Sequence, residues 1–311
     1  MNDSSTEDIS VVSIMGPTAS GKTGLAIELA NILDAEVISV DSALIYKHMN
    51  IGTAKPDKEE QEGVIHHLLD IIEPEQAYSV AEFRNDCVSL IHDISARGKL
   101  PILAGGTMMY FNALVRGLSK LPESDPDVRG KIQSEIKELG LEKLHAQLSE
   151  IDPFSGLRIH ANDTQRITRA LEVYRISGKT MTALQAENDT VSGIKFKQFS
   201  IMPTNREVLH KRIESRFDIM LNNGFEHEVE ALRARGTLNL DMPSMRCVGY
   251  RQMWQYLDGQ FDANEMRERG IIATRQLAKR QITWLRGWDE VTQLETNAVD
   301  NIDIIIKNLG S

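Results

Sequence analysis

The stretch Gly16-Pro17-Thr18-Ala19-Ser20-Gly21-Lys22-Thr23 satisfies every fixed position of the phosphate-binding loop pattern G-x-x-x-x-G-K-[ST]. Such a loop needs a strand to deliver it and a helix to leave it, because its amides must converge on one anion. Both flanks comply. Val11-Val12-Ser13-Ile14-Met15 reads as a buried strand, and Gly24-Leu25-Ala26-Ile27-Glu28-Leu29-Ala30 opens a helix with helically spaced apolar residues. In that setting the backbone N–H groups and the helix dipole hold phosphates, Lys22 adds a point charge and the Thr23 hydroxyl can sit on Mg²⁺. The bland alternative is a Gly-rich turn with a chance lysine. The loop recognises phosphates and not what they are attached to, so ATP, GTP and a small organic diphosphate are all admissible.

A length of 311 residues suggests a main domain with an inserted or appended second one. With 41% hydrophobic and 5% aromatic residues, the chain has the aliphatic-rich composition of an ordinary α/β protein. It contains no apolar run of membrane-spanning length, and the acidic start carries no apolar targeting segment, so a cytoplasmic enzyme, off the membrane, is expected. Cys87 and Cys247 fall in no Cys-x-x-Cys pair, which argues against a disulfide framework or a zinc site. His66, His67 and His160 show no metal-ligand grouping. The net charge of −10 disfavours nucleic-acid binding by the whole surface, so such a partner requires a local basic patch. Nothing suggests an obligate oligomer, and a monomer is expected.

Along the chain, Glu36–Val40 is a second strand that delivers Asp41-Ser42 to the carboxyl edge of the sheet, where open α/β sheets bind ligands. His66–Ile72 reads as a third strand, Ser79–Arg97 as an amphipathic helix and Leu100–Ala104 as a buried strand ending in Gly105-Gly106-Thr107. A helix follows from Met108. This alternation defines an α/β class with a P-loop NTPase-like parallel sheet core. Strand signals then vanish, and 127–139, 141–150 and 163–177 read as helices, until Lys197–Met202 returns as a strand. The domains expected are therefore a first core part at 1–117, a helical insertion at 118–196 and a second core part at 197–311. The last is helical over 206–222, 225–235, 245–257 and 264–285.

Asp41 has three readings that local sequence leaves open: a functional carboxylate, a turn or helix cap, and the Mg²⁺-coordinating acid of an NTPase. Gly105-Gly106-Thr107 is either a close backbone approach to a ligand or a tight turn with Thr107 as helix cap. The segment Arg269–Arg286 holds Arg269, Arg275, Lys279, Arg280 and Arg286 and no acid. Arg275 and Lys279 share a face, suited to a phosphate backbone or, more blandly, to a solvated salt-bridged helix. Upstream, Arg246-Cys247-Val248-Gly249-Tyr250-Arg251 mixes charge with an aromatic that could stack on a base. Trp284 and Trp288 read as core residues.

With these pieces assembled, the chain resembles the bacterial tRNA dimethylallyltransferases, also called isopentenyl-tRNA transferases. The motifs that carry the resemblance are the P-loop, Asp41-Ser42-Ala43-Leu44-Ile45-Tyr46, Ile51-Gly52-Thr53-Ala54-Lys55-Pro56, Gly105-Gly106-Thr107, Ile159-His160-Ala161-Asn162-Asp163, Arg246–Arg251 and Ala273–Gln281. The resemblance implies transfer of a dimethylallyl group from dimethylallyl diphosphate to the exocyclic amine of the adenosine 3′ of the anticodon, in tRNAs reading codons that begin with U. It implies a helical insertion that grips the tRNA anticodon stem-loop and a channel shared by the two substrates. By position, Asp41 is implied as general base, Thr107 as a channel residue, and Lys22, Thr23 and Arg216 as serving diphosphate and Mg²⁺. The implied tRNA contacts are Asp41, Ser42, Ala43, Leu44 and Thr107; Arg129, Gln165, Arg166, Ile167, Thr168 and Arg169 of the insertion; Arg246, Cys247, Val248, Gly249, Tyr250 and Arg251; and Lys279, Arg280 and Arg286. His48 and Asn50 stand where relatives commonly carry Gly and Asp, which leaves the shape of that loop open.

Overall fold

A continuous apolar run cannot turn one face to water, so Val11–Met15 has to be covered on both sides. In the computed structural model, which describes residues 8–310, β1 (Ile9–Met15) is buried over its last five positions. The acidic start read from the sequence lies outside the described residues. The chain continues through α1 (Lys22–Leu33), β2 (Ala35–Val40), β3 (His66–His67), α2 (Val80–Ala96), β4 (Leu100–Gly105) and α3 (Met108–Val115). A capping box starts α2: the Glu82 N–H donates to Ser79 Oγ at 3.1 Å and the Ser79 N–H to Glu82 Oε2 at 2.7 Å.

The next compact unit spans Asn112–Val191. It contains β5 (Leu118–Ser119), α4 (Pro126–Leu139), α5 (Leu141–Ile151), α6 (Pro153–Arg158), α7 (Thr164–Ser177), α8 (Met181–Ala186) and β6 (Asn188–Asp189). Its core joins Ile132, Leu144, Leu148, Ile167 and Leu171. Antiparallel pairing of Leu118 with Asp189 closes the unit at its base. Its edges thus fall at 112 and 191, where the sequence suggested 118 and 196, because Ile194 already pairs with Ile9 in the main sheet.

Returning to the core, the chain forms β7 (Ile194–Met202), α9 (Arg206–Asn222), α10 (Phe225–Ala234), α11 (Tyr250–Leu257), α12 (Ala263–Arg286), β8 (Thr292–Glu295) and α13 (Asn301–Leu309). The six-stranded sheet runs β3-β2-β4-β1-β7-β8 with every pairing parallel. Its register levels three carboxyl ends, since Met15 and Val40 both pair with Gly105. One apolar cluster packs α1 and α13 on the sheet, and another joins α9 to α12 with Ile45, Tyr46 and Met49. No helix among the described residues is long and apolar enough to cross a membrane.

Three expectations change. The third strand stops at His67 instead of Ile72, because Leu68 (φ 59°) and Asp70 (φ 54°) turn the chain. The N–H groups of Ile71 and Ile72 then bond the Ile45 carbonyl at 2.8 and 3.2 Å. The helix expected over 245–257 begins only at Tyr250, after Gly249 at φ 93°. Trp288 is buried as expected, but Trp284 is 47% exposed and is no core residue.

Away from the ligand edge, Glu36 on β2 is fully buried and bonded by Arg97 and by His67 at 2.8 Å. The Arg97 guanidinium first, and His67 to a lesser degree, pull its carboxyl down to about 2. A folded pKa below the ordinary 4.5 contributes stability above that value, which is lost as pH falls from about 4.5 to about 2. Glu36→Gln is expected to lower stability by roughly 1–3 kcal/mol at neutral pH and to flatten the acid limb, read by urea melts across that window.

Candidate active site

The P-loop leaves β1 at Gly16 and ends in α1, whose N-terminus is capped by Gly21 at φ 95°. A Cβ at Gly16 would lie 2.6 Å from Ser20 Oγ and 3.1 Å from the Ile201 carbonyl oxygen, so a side chain there would have to displace Ser20. Ala19 is also left-handed (φ 62°), and the Ser20 N–H closes a turn on the Pro17 carbonyl at 3.2 Å. Lys22 curls back so that Nζ donates to Pro17 O at 3.1 Å. Burial pushes the Lys22 ammonium down to about 8; Asp41 opposes that shift and Arg216 adds to it.

Lys22, Thr23, Asp41 and Arg216 line one cavity of about 150 Å³, whose apolar wall includes Ile213, Phe217 and Leu277. A larger open cavity continues from the P-loop past Lys211 and Arg212. Burial also lowers the Arg216 guanidinium, with Asp41 opposing, while its Nη2 donates to the Ala54 carbonyl at 3.3 Å. Two half-buried cations with one carboxylate make a site short of negative charge, which an anionic ligand would supply. Asp41 Oδ1 accepts from the Ala43 N–H at 2.9 Å, so Asp41 does act as a turn cap while also facing the cavity. Cys247 lines the same wall, its thiol pushed up to about 12 by burial and then by Asp41. It therefore stays protonated and is no nucleophile.

Gly105 and Gly106 meet steric demands of their own. A Cβ on Gly105 would lie 2.0 Å from the Val40 carbonyl, and one on Gly106 2.3 Å from Gln281 Nε2. Thr107 Oγ1 accepts from the Ser42 N–H at 3.0 Å, tying the two turns together; the cavity wall itself is Ala104 and Gly105 at this point. Buried Gln281, from α12, bridges the P-loop to the glycine turn: Oε1 accepts from the Thr18 N–H at 2.8 Å and Nε2 donates to Gly106 O at 2.9 Å. Sequence reading placed Gln281 inside a motif but gave it no role, because a buried amide on a basic helix has no local signature.

The residues expected to meet tRNA divide. Lys279, Arg280 and Arg286 lie exposed along α12 with Trp284. Arg275 belongs to the bland reading, its Nη2 lying 3.4 Å from Glu214, and Arg269 is taken by Glu265 at 2.6 Å. Leu44, Ala43 and Val248 line the cavity and Ser42 is exposed. Arg246 and Arg251 are exposed, whereas Tyr250 is fully buried and cannot stack on a base. Within the inserted unit, Gln165 and Arg166 are exposed, but Ile167 and Thr168 point into its core and are corrected to packing residues. Arg129 and Arg169 reach buried Glu172 at 3.0 and 2.8 Å, so their cationic ends are engaged inside that unit. The loop left open by His48 is also resolved. His48 takes φ 64°, the left-handed backbone a glycine adopts freely, and Asn50 Oδ1 accepts from Lys55 Nζ at 3.0 Å.

A parallel sheet whose first strand ends in the P-loop motif, with Asp41 and Arg216 lining the same cavity as Lys22, places the chain among α/β proteins of P-loop-like fold. The family model for IPP transferases matches residues 44–288, and the chain belongs to that family. Among solved structures it is similar to the tRNA isopentenylpyrophosphate transferase of Bacillus halodurans, at 35% identity and TM-score 0.72, covering 97% of each chain. It is similar to the tRNA isopentenylpyrophosphate transferase of Staphylococcus epidermidis at 33% identity and TM-score 0.69, covering 97% of this chain and 99% of that one. A eukaryotic dimethylallyltransferase acting on tRNA matches at 26% identity and TM-score 0.78, over 97% of this chain and 77% of that longer one.

Because burial lowers the Lys22 ammonium to about 8, binding of an anion that favours its charged form draws a proton onto Lys22 above that pH. Sulfate affinity is expected to weaken by about tenfold per pH unit well above 8 in the wild type and to lose that dependence in Lys22→Met, measured by calorimetry in buffers of differing ionisation enthalpy.

Proposed function

We propose that this protein modifies tRNA by prenyl transfer, moving the dimethylallyl group of dimethylallyl diphosphate to the N6 amine of the adenosine 3′ of the anticodon, in tRNAs reading codons that begin with U. The observation that carries this reading is the cavity in which Asp41 faces Lys22, Thr23 and Arg216, in a chain of the IPP transferase family. The amine lone pair forms the new N–C bond while the allylic C–O bond breaks, and the departing electrons go to the diphosphate. Asp41 takes the proton released from nitrogen, which matters because delocalisation into the ring makes that amine a poor nucleophile. Lys22, Arg216 and the P-loop amides offset the charge that develops on the leaving group. The target base has to leave its stack to reach such a cavity.

Mg²⁺ is part of the proposal. Among the described residues no cluster of three His, Cys, Asp or Glu is placed to hold a metal, so the fit is of the phosphate-supported kind. Thr23 offers a hydroxyl oxygen on the wall of that cavity, a donor suited to a hard cation. Bound there with diphosphate oxygens, Mg²⁺ would neutralise leaving-group charge. Contacts to the anticodon stem-loop fall to Lys279, Arg280 and Arg286, with Arg246 and Arg251, and to Gln165 and Arg166 of the inserted unit. The protein is read as a cytoplasmic monomer in which ATP is not a phosphoryl donor.

Incubation with labelled dimethylallyl diphosphate and unmodified tRNA is expected to put label into RNA. A phosphorylated product formed with loss of a nucleotide γ-phosphate would overturn the reading. Asp41→Asn separates base from metal ligand: the base role predicts a single-turnover rate about 10²- to 10⁴-fold lower with both substrates still bound, and no rescue by raised Mg²⁺. Reversing Lys279 and Arg280 to Glu is expected to weaken tRNA binding and reduce the slope of log affinity against log salt by about one to two, measured by filter binding.

A further inference from the structure

Three consecutive backbone N–H groups converge on one carboxylate of α10. Glu228 Oε2 accepts from Asn50 at 2.8 Å and from Ile51 at 2.7 Å. Its Oε1 accepts from Gly52 at 3.0 Å and from the Tyr250 hydroxyl at 2.5 Å. Only an ionised carboxylate can serve four donors at once. Burial first, and then Glu228, hold the Tyr250 phenol well above its usual range, so the hydroxyl keeps its proton and remains a donor.

The segment so gripped builds the site. Gly52, Thr53 and Ala54 line the smaller cavity, and the Ala54 carbonyl accepts from Arg216. Packing holds the segment from the far side, since a Cβ on Gly52 would lie 2.1 Å from the Phe225 ring and 2.7 Å from that of Tyr250. Lys55 anchors its end, donating to Tyr46 O at 2.7 Å and to Asp70 at 2.5 Å. Glu228 itself lines neither cavity. We propose that Glu228 is a positioning residue for diphosphate binding: it fixes the backbone of residues 50–54 so that the Ala54 carbonyl aims the Arg216 guanidinium into the cavity. The assignment rests on reading this cavity as the diphosphate site. It gives buried Tyr250 a role, as the side-chain donor that completes the Glu228 shell.

Glu228→Gln keeps the volume but leaves one acceptor oxygen and turns an NH₂ group toward N–H donors. Inorganic pyrophosphate affinity, by calorimetry on the full chain, is expected to fall roughly tenfold, with the KM for dimethylallyl diphosphate rising in step. Affinity for tRNA should stay within about twofold. In an Arg216→Ala background the same change should add less than about twofold, because its effect runs through Arg216. A merely structural role would lower the melting temperature and leave pyrophosphate affinity and KM of the folded fraction unchanged; that result, or full additivity with Arg216→Ala, overturns the proposal. If Glu228→Gln does not fold, Glu228→Asp, which withdraws the carboxylate by one methylene, is judged by the same two criteria. A wild type that binds pyrophosphate but prenylates no tRNA would sink the prenyl-transfer reading, while the pyrophosphate measurements still decide the role of Glu228.

Discussion

Everything at the ligand edge depends on three parallel strands ending level. Hydrogen bonding pairs Met15 and Val40 with Gly105, so Gly16, Asp41 and Gly106 all begin at one line on adjacent strands. Strands about 4.8 Å apart in the hydrogen-bonding direction then put phosphate loop, carboxylate and glycine turn within reach of one small ligand. A slip of one residue would turn side chains to the wrong face of the sheet. The missing side chain at Gly105 belongs to this constraint, because the Val40 carbonyl occupies the space a Cβ would need.

On that edge the protein assembles more positive charge than it neutralises. Lys22 and Arg216 are both lowered by burial, and Asp41 is the carboxylate that opposes the shift in each. Keeping cations out of water is unfavourable unless an anion joins them, so part of the free energy of anion binding is the relief of that cost. The same field acts on a leaving group as its charge grows, which links ground-state recognition to the chemistry proposed.

Helix α12 joins this edge to the outer surface. Thr274, Leu277 and Gln281 form one stripe along the cavity, and Gln281 holds the P-loop and the glycine turn at a fixed separation. Lys279 and Arg280, on the exposed side, sit next to Gln281 in the chain.

Local patterns in the amino-acid sequence determine the P-loop with its strand and helix, the α/β alternation and the helical insertion, because periodicity, caps and glycine positions act over a few residues. The family motifs likewise bring Asp41 and the basic helix into view, and the resemblance brings in Arg216 by position. Residues whose partners are distant in the chain stayed illegible: Glu228 meets Asn50 across a separation of 178 residues, and Gln281 meets Thr18 across 263. The orientation of amphipathic positions was equally hidden, so Tyr250 looked like a stacking platform yet is buried, and Trp284 looked like core yet is exposed. Tertiary structure decides such cases because a polar or aromatic group is satisfied by whichever partner packing brings to it, and sequence spacing does not encode that partner.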